Sequence, residues 1–123
     1  AMRSQLFEQW QRFSQGATSL VALSEEWAKL DLPPLLWHLK SWISDMIRLQ
    51  LIESPPNLTN RDLAIALKKW ANRCRSQQLF DYLDELQQTE KILSKKIALN
   101  KRLVLENLLL IWHKTLEEKN YVG

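Results

Sequence analysis

The segment NKRLVLENLLLIW, residues 100–112, decides the fold. Asn100 reads as a helix N-cap, because its short side chain can accept a hydrogen bond from a backbone N–H in the first turn. Leu99 and Val104 flank it with the spacing of a hydrophobic staple. From Leu103 to Trp112 only Glu106 and Asn107 are polar. At about 100° per residue, Val104, Leu105, Leu108, Leu109, Ile111 and Trp112 cover one broad sector, which is assigned to a core. Glu106, Asn107, His113 and Lys114 fall in the opposite sector, and Leu103 and Leu110 lie among them one heptad apart. A helix apolar nearly all round is either central in a core or shared with a partner. Two readings follow for Leu103 and Leu110. Either another helix of the same domain covers them, or they form the apolar centre of a subunit contact with Glu106 and Asn107 as its polar surround.

Working back from this helix, helical periodicity continues almost to the start of the chain. Ser76 is expected to cap a fifth helix with core positions Leu79, Leu83, Leu86, Leu93 and Ile97. Leu63, Leu67, Trp70 and Cys74 form the stripe of a fourth, and Thr59 with Asp62 has the spacing of a capping box, stapled by Leu58 and Leu63. The adjacent prolines of SPPN, residues 54–57, end the third helix. That helix is expected from Asp31, its cap, to about Leu51, with Pro33 and Pro34 tolerated in the first turn and Leu36, Leu39, Ile43, Met46 and Ile47 facing the core. Leu20, Leu23, Trp27 and Leu30 mark a short second helix. Leu6, Trp10 and Phe13 mark the first, closed by Gly16. The fold class is therefore all-α: a single compact bundle of about six helices over residues 1–123.

Composition agrees and excludes much else. The 123 residues contain two Gly and four Pro, about 5% where average usage gives about 12%, too few turn residues for a sandwich, barrel or propeller. A single cysteine, Cys74, excludes an internal disulfide and any Cys-based zinc site. With Gly16 and Gly123 as the only glycines, there is no phosphate-binding loop or dinucleotide fingerprint. His38 and His113 stand in no metal-ligand spacing, and Asp84 and Glu85 diverge on their helix, so neither a metal nor an acid/base pair is expected. No run reaches the roughly 18 apolar residues of a membrane span. The domain is read as non-catalytic, without cofactor and cytoplasmic, and the opening Ala-Met suggests a piece of a longer chain.

The net charge of +3 arises wholly after residue 61. Lys68, Lys69, Arg73 and Arg75 form one basic run and Lys91, Lys95, Lys96, Lys101 and Arg102 another. These runs, at 68–75 and 91–102, support an alternative function as a free-standing nucleic-acid-binding helical domain. Of the six tryptophans, Trp10, Trp27, Trp70 and Trp112 fall on core stripes. Trp37 and Trp42 lie at other angles, one of them expected at the surface, with the basic runs far from both in sequence.

The ordered set LPPLLWHLKSWISDMIRLQL (32–51), TNRDLAIAL (59–67), QLFDYLDELQQTEKIL (78–93) and LNKRLVLENLLLIW (99–112) resembles the C-terminal domain of the bacterial DNA polymerase III delta-prime subunit. The last string is the most specific. Trp42 and Asp45 ahead of Arg48 are the next best support, and the match runs from about Leu32 to Lys119; the resemblance thus implies a connecting helical pair over residues 1–31 and a collar-like helical core over 32–119. The resemblance implies a scaffold within an AAA+ clamp loader: C-terminal helical domains close into a collar, from which the core domains hang to load the sliding clamp in DNA replication. It implies partners in the C-terminal domains of the gamma/tau ATPase and delta subunits, with at most weak, non-specific DNA contact. The parent assembly is a DNA-directed DNA polymerase, a nucleotidyltransferase. The family's arginine finger and zinc-binding cysteines lie in N-terminal domains and have no counterparts here. Under this resemblance Leu103, Glu106, Asn107 and Leu110 are the candidate subunit interface.

Overall fold

The computed structural model describes residues 2–95 and 98–122, with side chains as far as Glu117. Six α-helices follow one another: α1 Met2–Ser14, α2 Leu20–Trp27, α3 Leu32–Leu51, α4 Ala64–Ala71, α5 Ser76–Ser94 and α6 Lys101–Val122, with a 3-10 turn at Arg61–Leu63 leading into α4. No strand occurs among the described residues. The long helix α3 packs against α4 and α5, and α6 closes the bundle against α2 and α5.

The helix ends have local causes. At the end of α1, Gly16 adopts φ +81°. Its N–H donates to Phe13 O (3.0 Å), and Ala17 N–H donates to Arg12 O (2.7 Å), the paired bonds of a Schellman termination. Ser19 Oγ caps α2 by accepting from Ala22 N (3.0 Å). Asn100 Oδ1 accepts from Leu103 N (3.1 Å), so the expected cap of α6 is made. Two expected caps are corrected. Thr59 and Asp62 form no capping box: Thr59 N–H donates to Asp45 Oδ1 (3.0 Å), and Asp62 pairs with Arg3 from the far end of the chain. Ser76 is the first residue of α5, not its cap. Gln78 Oε1 accepts from Arg75 N (3.0 Å), and Ser76 Oγ donates to Gln50 Oε1 (2.8 Å).

The core is centred on aromatic rings. Trp10 of α1 stacks on Trp112 of α6 with centroids 4.8 Å apart. It also meets Trp42 of α3 at 5.4 Å and Trp70 of α4 at 6.4 Å. One side chain thus joins four helices. The helical pair at the start of the chain is consequently a wall of the core rather than a connector beside it: Leu6, Phe7, Trp10, Phe13, Leu23 and Trp27 are all buried. The expected core positions Leu36, Leu39, Ile43, Met46, Leu67, Leu79, Leu86, Leu105, Leu108 and Leu109 are buried as well, while Leu83 and Leu93 are half-buried and Ile97 lies outside the described residues. Three of the five buried indoles find partners, Trp27 Nε1 donating to Gln9 (2.8 Å), Trp70 Nε1 to Gln11 (3.2 Å) and Trp112 Nε1 to Ser14 (2.8 Å), whereas Trp10 Nε1 and Trp42 Nε1 have none among the described residues. Tyr82 donates from its hydroxyl to Leu108 O (3.0 Å), and burial holds its phenol well above the ordinary range.

Candidate interaction surface

The outer face of α6 carries the four residues singled out from sequence. Leu103 is 62% and Leu110 41% exposed, Asn107 is exposed and Glu106 is half-buried. One turn apart in register, these residues form a ridge along the helix opposite Leu105, Leu108 and Trp112. Among the described residues both Leu103 and Leu110 keep exposed surface on this face.

The base of the ridge is held to α2 by charge. Arg102 donates through Nε to Glu106 (3.1 Å) and approaches Glu25 at 3.2 Å, and Lys101 Nζ donates to Leu30 O (2.9 Å). Farther along, His113 Nε2 lies 3.0 Å from Glu117. The rotation of α6 is set by its buried residues Leu105, Leu108, Leu109 and Trp112, which leaves the ridge outward.

Four cations of the basic runs make contacts within the domain. Lys68 donates to Leu49 O (3.0 Å), the Arg73 guanidinium lies 5.1 Å from the Trp70 ring centroid, and Lys101 and Arg102 are committed as above. Lys96 lies outside the described residues.

A second site escaped the sequence reading. The loop between α3 and the 3-10 turn folds over a buried carboxylate. Asp45, fully buried, accepts from Thr59 N (3.0 Å), Asn60 N (2.7 Å), Asn60 Nδ2 (3.0 Å) and Arg48 Nη1 (2.9 Å). Burying a charge is costly unless its lone pairs are satisfied, and here four donors satisfy them. Beside this anchor runs a groove of about 180 Å³ lined by Trp37, Lys40, Ser41, Ser44, Arg48 and Thr59. Trp37 is 52% exposed, whereas each of the other five tryptophans is at most 1% exposed. The signal was available: positions 37, 40, 41, 44 and 48 share one helical face.

The histidine and cysteine noted from sequence lie in packed surroundings. His38 meets Trp37 edge-on at 5.3 Å and stacks on Trp42 at 6.3 Å; desolvation, and then the charge of Arg3, lower its pKa. Cys74 is buried. Among the described residues no group of three or more His, Cys, Asp or Glu side chains is placed to hold a metal ion, and no helix is long and apolar enough to cross a membrane.

An all-α domain with one aromatic core and an apolar ridge on its closing helix falls in the class of compact helical modules. Comparison with protein families is more specific: residues 1–114 match the family described as DNA polymerase III, delta subunit, C terminal. The chain belongs to that family, a clamp-loader component. The match begins at the first residue, in keeping with the place of α1 and α2 in the core. Neither the curated proteins nor the solved structures yield a match to the chain.

Proposed function

We propose that this chain is the collar domain of a delta-prime subunit, a non-catalytic cytoplasmic scaffold that helps hold the clamp loader together while the sliding clamp is loaded. The observation that carries the proposal is the division of α6. Leu105, Leu108, Leu109 and Trp112 build the core, while Leu103 and Leu110 stand in solvent on the opposite face. Exposed leucines flanked by Glu106 and Asn107 have the composition of an interface centre with a polar rim. Membership of the clamp-loader family supplies the class of partner, and the delta-prime assignment rests on the resemblance of residues 99–112. The partners are the C-terminal domains of the gamma/tau ATPase and delta subunits. Reconstitution tests the assignment: the chain completes a collar assembly that lacks delta-prime and does not complete one that lacks delta, as read by size-exclusion chromatography with light scattering. Completion of the second assembly instead would replace delta-prime by delta.

The nucleic-acid alternative based on residues 68–75 and 91–102 is disfavoured by the structural engagement of Lys68, Arg73, Lys101 and Arg102. A protein using those runs would lose affinity steeply with salt, by about 0.9 in log K per phosphate for each unit of log salt.

A further inference from the structure

The groove beside Asp45 has a composition unlike that of the ridge on α6. Its lining consists of one aromatic ring, two cations and three hydroxyls, with no carboxylate and no aliphatic side chain. We propose that it binds a short stretch of single-stranded nucleic acid, with a base stacked on Trp37 and backbone phosphates held by Arg48 and Lys40. The proposal is independent of the collar reading.

Each part has a physical basis. An exposed indole costs a soluble domain solubility without helping its core, and Trp37 is the one tryptophan so placed. Indole faces stack on any base, and so bind single strands without reading sequence. Arg48 is held in position through Nη1 by Asp45, whose charge is already shared with Thr59 N, Asn60 N and Asn60 Nδ2. Guanidinium presents five N–H donors, so this anchor leaves donors for phosphate. Lys40 lines the groove in a half-buried pair with Glu90 (2.7 Å). An ammonium has three N–H donors, so Lys40 can donate to a phosphate while keeping that pair. Ser44 and Thr59 add hydroxyls for sugar or phosphate oxygens. Trp37 to Arg48 spans about 16 Å along α3, which suits a short segment rather than a long tract.

The chain carries its own probe. Because the other five tryptophans are buried, quenching by a ligand in solution reports Trp37. Titration of the 123-residue chain with a dT oligonucleotide is expected to quench this emission saturably, with log K falling by about 1.4 per unit of log salt, the value for two single-strand phosphates. By anisotropy of a labelled oligonucleotide, Trp37→Ala should weaken binding about ten-fold or more, and Lys40→Gln should weaken it and flatten the salt slope. Both variants lie at the surface, and an unchanged circular dichroism melt confirms that the fold is intact. The proposal is overturned if dT leaves the emission unchanged, or if folded Trp37→Ala binds as the parent does. It is equally overturned if the emission responds only to clamp-loader C-terminal domains, which would make Trp37 a protein contact.

Discussion

Asp45→Ala is the most informative single change to the fold, because one carboxylate anchors a whole connection. Asn60 is 1% exposed; in the variant its backbone N–H loses its acceptor, while Nδ2 loses one of two and keeps Ser41 Oγ (3.2 Å). An orphaned buried donor costs about 1–3 kcal/mol, and the backbone N–H sets that scale. Thr59 is exposed and recovers a water. Arg48 loses only a partner at its solvent-facing head. A chain of this length has a total stability on the order of 6–18 kcal/mol, so the loss is a substantial fraction. If the 52–60 loop opens on its own, the global loss is capped at the free energy of that opening, and the effect moves into local exchange. Urea denaturation gives the global figure, and amide hydrogen exchange at Thr59 and Asn60 gives the local one. Asp45→Asn retains the shape and one acceptor oxygen and should lose less. A variant Asp45→Ala within about 0.5 kcal/mol of the parent, with protected Asn60 amides, would refute the anchoring role.

Other expectations follow from the same contacts. Trp10→Ala removes the ring that touches Trp42, Trp70 and Trp112, and should cost about 3–5 kcal/mol and lower the thermal midpoint by ten degrees or more in calorimetry. Arg3→Gln should move two titrations upward in NMR. Asp62 loses the hydrogen bond that lowers its pKa and returns toward 3.8, and His38 loses the nearby positive charge that adds to desolvation in lowering its own. In the parent the lowered Asp62 pKa is a stabilising contribution, present above the ordinary carboxylate pKa and lost as pH falls through the folded value; in Arg3→Gln that acid-side loss disappears. Calorimetry with magnesium and ATP should show no binding heat, because neither glycine lies in a phosphate-binding loop.

The helices were legible because periodicity survives any tertiary arrangement. Leu63, Leu67, Trp70 and Cys74 had to share a face whatever they packed against, and Asn100 had only its own helix to cap. What periodicity cannot state is which stripe meets which. Nothing local to Trp10 indicates Trp112 as its stacking partner, and for that reason the first two helices read as a connector. The failed capping box has a related cause. Thr59 and Asp62 had the right spacing, but a carboxylate 14 residues upstream and an arginine 59 residues away compete for them. In the same way, the ridge on α6 was legible from angles alone. The groove was visible in part: Trp37, Lys40, Ser44 and Arg48 share a helical face, whereas Thr59 reaches it only through the loop pinned on Asp45.

The central claim is that α6 presents its outer leucines to a neighbouring clamp-loader subunit. It is tested most directly by Leu110→Asp in the reconstituted collar. Leu110 is 41% exposed and lies outside the buried core cluster, so the variant should keep a near-parental melting curve. A carboxylate placed at the centre of an apolar contact would be desolvated without a partner, and the variant should therefore fail to co-elute with the gamma/tau and delta C-terminal domains. A folded Leu110→Asp that assembles as the parent does would contradict the claim and place the subunit contact on another face.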